Sequence, residues 1–304
     1  MRRQMDYHKP VLLHESVDLM SIREDGVYAD LTFGGGGHSQ EILNRLGPNG
    51  KLFAFDQDPD AKNNVPDDPR FTLIESNFRH LKKMLRMHGA RKVDGILGDF
   101  GISSHQIDEG SRGFSLRYEA PLDMRMNPDR AFSAKEVLNQ YGEKQLRDLF
   151  FRYGEIRSAG ALSRAILQAR PLETTFDLVS VAEGFAPRNK RGQFLAQVFQ
   201  AIRIEVNEEL LVIEEMLQQA PEVLSPGGRL VCISYHSLED RLVKNFFRTG
   251  NFEGQPEKDF YGNLIRPLEP VTRKPIAPEA NEINENPRAR SAKLRAAELL
   301  IKND

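Results

Sequence analysis

The 304-residue chain is 39% apolar and 28% charged, the balance of a protein that buries an ordinary globular core. Its 42 Lys and Arg against 44 Asp and Glu leave a net charge of −2, which excludes a global basic field for nucleic acid and makes any such binding local. A single cysteine, Cys232, excludes an internal disulfide and a cysteine-rich zinc site; residues 1–7 lack an apolar signal core and no window nears a membrane-spanning length. The expectation is a cytoplasmic protein with no metal and no membrane attachment.

The first predicted strand, 27–29, runs into Asp30-Leu31-Thr32-Phe33-Gly34-Gly35-Gly36-Gly37-His38, after which residues 39–46 have helical spacing. Glycines on a strand-to-helix turn bring backbone against a ligand, as at the nucleotide sites of doubly wound α/β sheets. A second strand, 51–55, stops at Asp56, about twenty residues past the glycines, where an acid reaches ribose hydroxyls. The glycines are consecutive, not spaced as G-x-G-x-x-G, and Asp30 ahead of them repels a pyrophosphate. A ligand with a cationic ammonium and sulfonium suits that acid, which points to S-adenosylmethionine; a nicotinamide cofactor on the same type of sheet is the alternative.

Strands at 71–75 and 93–97 with a helix at 78–88 continue the alternation, which implies a parallel, doubly wound sheet. From 107 to 191 strands disappear. Short amphipathic helices take their place at 158–170, at 176–183 and after the capping-box signature Ser133-Ala134-Lys135-Glu136. The expected organisation is a donor-binding domain of 1–106 with 192–304, and an inserted helical domain of 107–191. A long helix over 193–219, apolar every three or four residues, returns the chain to the sheet. Ser225-Pro226-Gly227-Gly228 then turns into 229–235, an apolar run that fits a buried central strand. A helix over 238–247, an irregular loop over 275–287 and a final helix over 292–301 complete the reading.

After the strand at 93–97 come Gly98-Asp99-Phe100-Gly101-Ile102-Ser103-Ser104-His105-Gln106, at the carboxyl edge of the sheet where ligands bind. Asp99 and Ser103 equally suit a turn whose amides they satisfy. Tyr235-His236-Ser237-Leu238-Glu239-Asp240-Arg241 reaches the same edge. His236 is a candidate general base, hydrogen-bond donor or cap partner, while Ser237 with Asp240 fits a capping box. Cys232, mid-strand, reads as an inert buried thiol, which argues against carbon methylation through a thiolate. Methylating an exocyclic amine or a hydroxyl needs only in-line alignment and acceptors that orient the attacking lone pair; Asp99, Ser103 and Ser104 are suitable. Basic clusters at Arg188-Asn189-Lys190-Arg191, at Arg273-Lys274 and over 288–295 suggest a surface polarised toward phosphates.

Six segments together resemble the bacterial ribosomal RNA small subunit methyltransferase H family over nearly the whole chain. They are His8-Lys9-Pro10-Val11-Leu12-Leu13; the glycine segment from Asp30 through Ser39; Asp99 through Asp108 with Arg112-Gly113-Phe114-Ser115; Pro121-Leu122-Asp123-Met124-Arg125-Met126; Ile233 through Arg241; and Asn286-Pro287-Arg288-Ala289-Arg290-Ser291. The resemblance implies a class I (Rossmann-like) α/β methyltransferase with a doubly wound, mostly parallel sheet and an inserted helical domain. It implies S-adenosylmethionine as donor and N4 of a cytidine in the decoding region of 16S ribosomal RNA, on the small ribosomal subunit, as target. By position it places donor binding on Gly36, Gly37, His38, Asp56, Phe78, Asp99 and Gln106, and the reaction around Asp99, Ser103, Ser104 and His236. The family commonly has leucine at the Phe100 position, proline at His105 and phenylalanine at Tyr235. A homodimer is compatible with the sequence, and a ribosome-assembly factor that holds the donor only structurally is the non-catalytic alternative.

Overall fold

The computed structural model describes residues 10–300, the side chains of Ser104 and His105 excepted; the segment 1–7, the motif residues His8 and Lys9, and Ile301 of the expected last helix lie outside it. In chain order the elements are α1 (Leu13–Leu19), β1 (Val27–Asp30), α2 (Gly37–Arg45), β2 (Lys51–Asp56), β3 (Phe71–Glu75), α3 (Leu81–Met87), β4 (Val93–Asp99), α4 (Ser104–Asp108) and α5 (Ala134–Gln140). Then follow α6 (Glu143–Gly154), α7 (Ala159–Ala169), α8 (Thr175–Ala182), α9 (Arg191–Asn207), α10 (Glu209–Val223), β5 (Leu224–Ser234), α11 (Ser237–Thr249), β6 (Leu268–Pro270), α12 (Ala280–Glu285) and β7 (Lys293–Leu299).

The chain divides into two compact units, Met1–Gly101 with Leu210–Asp304, and Ile102–Glu209. The first holds a seven-stranded sheet in the order β3-β2-β1-β4-β5-β7-β6, with β1 to β5 parallel and β7 antiparallel to both β5 and β6. Alternate residues of each central strand feed two different cores, because successive side chains leave opposite faces. Tyr28, Leu52, Leu97 and Val231 pack with α1 and α2 residues such as Val17, Ile42 and Leu43. Their neighbours Ala29, Phe53, Ile96 and Leu230 pack with Leu81, Leu85, Met216, Leu217, Val243 and Phe246 of α3, α10 and α11. Burial on both faces explains the near-continuous apolar strands. Cys232 is buried on the second face, and that burial pushes its thiol far above the usual range, leaving it inert.

The loop expected over 275–287 contains α12, and two expected helices fail for physical reasons. The helix expected over 193–219 is α9 and α10, broken at Glu208, whose φ is 53°. There the buried Asn207 donates to Met124 O (2.8 Å) and accepts from the Met126 amide (2.8 Å), and Arg203 pairs with Glu209 (2.8 Å). An apolar period of three to four runs unbroken through such a kink, so periodicity does not reveal it. The helix expected over 292–301 is β7: Leu294 and Ala296 enter one core and Ala297 the other, and pairing with β5 and β6 outweighs the helical preference of Ala-Ala-Glu-Leu. The Ser225-Pro226-Gly227-Gly228 turn lies inside β5 as an irregularity in its register with β4.

The helical unit is built on α6, which packs against α7 and α9 through Leu146, Leu149, Phe150, Leu162, Val198 and Ile202. It reaches past the expected limit of 191 because α9 supplies part of this core. Ser133 and Glu136 form the capping box of α5. Asp123 pairs with Arg125 (2.7 Å), and Arg112 donates to the carbonyls of Arg125 (2.9 Å) and Met126 (3.0 Å), so these motif residues brace one another.

Candidate active site

The glycine turn continues β1 along its neighbours: Leu31 donates to Leu97 O (2.8 Å) and Phe33 to Phe55 O (2.9 Å). Gly34 (φ 49°) and Gly36 (φ 80°) then turn through the left-handed region, which side chains resist. A Cβ on Gly37 would lie 2.1 Å from Pro10 Cγ. Gly36 caps α2, and the amides of its first turn have no carbonyl within the helix to meet, so this end favours negative charge.

Three carboxylates stand on three adjacent parallel strands at the same edge. Asp30 ends β1 level with Ala54 and Leu97, so Asp56 and Asp99 each stand two residues beyond it on β2 and β4. Asp30 is buried, accepting from Ser39 Oγ (2.7 Å) and the Thr32 amide (3.1 Å); burial raises its pKa, with His38 working against it. Asp56 accepts from the Gly34 amide (2.7 Å) and the Asp58 amide (2.8 Å), bracing the turn, and burial pushes it up to about 6. Burial likewise pushes Asp99 up to about 6, opposed by His38 and by a hydrogen bond from the Tyr235 hydroxyl. Its amide donates to Thr32 Oγ1 (2.8 Å), its Oδ2 is 3.9 Å from His38 Nδ1, and its Oδ1 is buried with no hydrogen-bond partner among the described residues. No Lys or Arg among those residues pairs with any of the three acids.

His38 is buried, with Nε2 3.3 Å from Val11 O, so its side chain is taken up by the fold and its backbone is what α2 offers a ligand. Phe78 lies in a one-turn 3-10 helix after β3, capped by Asn77, with its ring centroid 6.0 Å from that of Phe100. In the helical unit, the Ser103 amide donates to Gln106 Oε1 (3.1 Å) and Ser103 Oγ accepts from the Gln106 amide (3.2 Å). The pair caps α4; the Ser104 side chain is outside the described set.

The cap of α11 is His236, not Ser237, and its box partner is Glu239, not Asp240. The Glu239 amide donates to His236 Nδ1 (3.4 Å), while Glu239 Oε2 accepts from the amides of Tyr235 (2.8 Å) and His236 (3.3 Å). With Nδ1 accepting, the ring proton belongs on Nε2, which lies 3.1 Å from Glu239 Oε1 but, like Asp99 Oδ1, is buried with no hydrogen-bond partner among the described residues. Asp240 instead binds Arg295 (2.7 Å) and Lys293 (3.2 Å), which hold its carboxyl below the usual range against partial burial. Two cations of the 288–295 cluster are thereby structural. Thr32 lies in the glycine motif and Tyr235 in the 233–241 motif, but neither motif revealed that these residues support Asp99.

A sequence model of the MraW methylase family matches residues 5–300. The chain belongs to the MraW methylase family. A protein of Flavobacterium johnsoniae named ribosomal RNA small subunit methyltransferase H is 56% identical over 301 residues, covering 98% of this chain and 99% of its own. One of the same name from Christiangramia forsetii is 56% identical over 299 residues, covering 97% and 99%. A solved rRNA methylase from Streptococcus thermophilus is 13% identical over 98% of this chain and 99% of its own, with a TM-score of 0.43, a likeness too distant to add to these. A methylase of this family needs a methyl donor, and the edge of β1, β2 and β4 has the charge for a cationic one. No described helix is long and apolar enough to cross a membrane.

Proposed function

We propose that this chain transfers the methyl group of S-adenosylmethionine to the exocyclic N4 of a cytidine in the decoding region of 16S ribosomal RNA, on the small ribosomal subunit. The observation that carries the reading is the buried Oδ1 of Asp99, without a hydrogen-bond partner among the described residues, beside two further acids that no Lys or Arg of those residues neutralises. A pyrophosphate cofactor would meet repulsion there; an ammonium and a sulfonium meet complementary charge. The names of the relatives support ribosomal RNA as substrate. Cytosine and N4 come from the motif resemblance.

The residues fit the donor. The first-turn amides at Gly37 and His38 suit its carboxylate, Asp30 its ammonium, Asp56 its ribose hydroxyls, and the Phe78–Phe100 pair its adenine. Bound there, S-adenosylmethionine supplies an electrophilic methyl group on sulfur. Asp99 Oδ1 accepts a hydrogen bond from the N4 amine of a cytosine swung out of its stack, turning the lone pair from the ring toward the methyl carbon. The C–S bond breaks as the N–C bond forms, and the extra proton on N4 passes to Asp99, whose pKa of about 6 makes it a better base than an ordinary carboxylate. His236 positions the edge by capping α11, and in the helical unit Gln106 holds the Ser103 turn.

The test is methyl transfer to unmodified small subunits by the wild type and by Asp99→Ala, with donor affinity measured in parallel. The reading expects loss of transfer by about 10²-fold or more in the variant. Full turnover with normal donor affinity would remove Asp99 from this role.

A further inference from the structure

A basic cavity of about 240 Å³ lies in the sheet unit beside α11, away from the glycine edge. Lys244 and Arg248, four residues apart on one face of α11, line it with Arg266, Arg273 and Arg295. At a rise of about 1.5 Å per residue, they lie roughly 12 and 18 Å along the helix from the His236 cap. Arg295 is held by Asp240, and Arg266 by Glu269 and by Arg248 O (3.0 Å). Lys244, Arg248 and Arg273 have no carboxylate partner among the described residues. In a chain of net charge −2, five cations around one acid make a local site for an anion.

The segment that delivers Arg266 to this cavity is a short hairpin with an unusual tip. Ile265 donates to Glu257 O (2.9 Å) and Asp259 to Asn263 O (2.9 Å), while Asp259 Oδ1 accepts from the amides of Tyr261 and Asn263, each at 2.9 Å. Gly262 turns at φ 86°. The tip so fixed leaves Phe260 98% and Tyr261 86% exposed, their rings edge to face at 5.6 Å. Two large aromatics held in water by an ordered turn bury nothing within the fold, so their use is outside it. A cationic groove beside exposed rings is the combination that binds single-stranded nucleic acid, with phosphates on the cations and bases on the π faces.

We propose that the cavity beside α11 and the Phe260–Tyr261 tip form a second RNA contact, the cavity holding a backbone phosphate and the tip stacking an unpaired base of the substrate. This rests on the RNA reading above and adds a binding surface to it. The contact raises affinity for the substrate and leaves the chemistry at the glycine edge untouched.

Two variants test it on the full chain, Phe260→Ala/Tyr261→Ala and Lys244→Ala/Arg248→Ala/Arg273→Ala, with unmodified small subunits as the probe. All these side chains are exposed or at the cavity rim, and a thermal melt with a donor titration checks that each variant folds and binds donor as the wild type does. The KM for subunits is expected to rise about ten-fold in the tip variant, with kcat within two-fold. In the cavity variant the slope of log Kd against log salt should fall by about 2, for three lost phosphate contacts on a single strand. Unchanged KM and salt slope in an active enzyme would overturn this contact and leave the methyltransferase reading standing. A raised KM in the tip variant with an unaltered salt slope in the cavity variant would make the tip a contact for a ribosomal protein and overturn the RNA assignment. A wild type that neither binds nor methylates subunits would overturn both readings together.

Discussion

Asp99 at the end of β4 and Asp240 on α11 belong to the same unit, yet one has a buried oxygen with no hydrogen-bond partner among the described residues and the other is clasped by Arg295 and Lys293. Burial pushes Asp99 up to about 6, while its cations hold Asp240 below the usual range. A carboxylate that serves the fold is given its counter-charge by the fold. Asp99, left without it next to Asp30 and Asp56, keeps an acceptor for a ligand group in the proposed reading.

Substituting the two acids in turn separates these roles. Asp99→Asn should lower methyl transfer by about 10²–10³-fold while raising stability near neutral pH by as much as about 2–3 kcal/mol, since it removes a buried charge. Asp240→Asn should lower stability by about 2 kcal/mol, by leaving Arg295 without its partner, and should leave donor affinity intact. Thermal or urea unfolding beside a donor titration reads both, and a loss of stability in Asp99→Asn would erase the contrast.

The pH dependence follows the same division. Asp99 and Asp56 titrate near 6 in the fold against 3.8 when free, so the folded state binds more protons between these values. Their ionisation therefore subtracts stability as pH rises from about 4 to 6, and the penalty is constant above that. Donor binding has the opposite sign: the cation is favoured by the ionised acids, so Kd should rise as pH falls below 6, by up to about ten-fold per unit for each acid that must be ionised. Calorimetry in buffers of different ionisation enthalpy would show the released protons, and a Kd flat from pH 5 to 8 would contradict the assignment. His236→Asn should have the smallest effect, within about 1 kcal/mol of stability and a few-fold in rate, because Asn is also a good cap. A general base at that position would instead give a loss of about 10²-fold or more.

The part of the fold legible in the sequence is the part set by local pattern. Short apolar strands, the glycine turn and the Ser133 box each carry their signal within a few residues, and the first four strands stand where the strand–helix alternation put them. Strand β7 was illegible because Lys-Leu-Arg-Ala-Ala-Glu-Leu prefers a helix until β5 and β6 pair with it. The break after α9 depends on Asn207 reaching Met124 and Met126, more than eighty residues back along the chain. At the site, Asp99 was visible as a residue type in a suitable place; its lack of a partner was not, since that depends on what Thr32, His38 and Tyr235 do. The capping box of α11 was displaced by one residue, because histidine is not a usual cap and Ser237 is. Phe260 and Tyr261 lie in no motif of the sequence, and only the fold shows how exposed they are.

The most direct test of the account is transfer of labelled methyl from S-adenosylmethionine to small ribosomal subunits lacking the modification, followed by digestion to nucleosides. The account predicts label in N4-methylcytidine, from a single position in the decoding region. Label in another nucleoside, or none despite measurable donor binding, would contradict it.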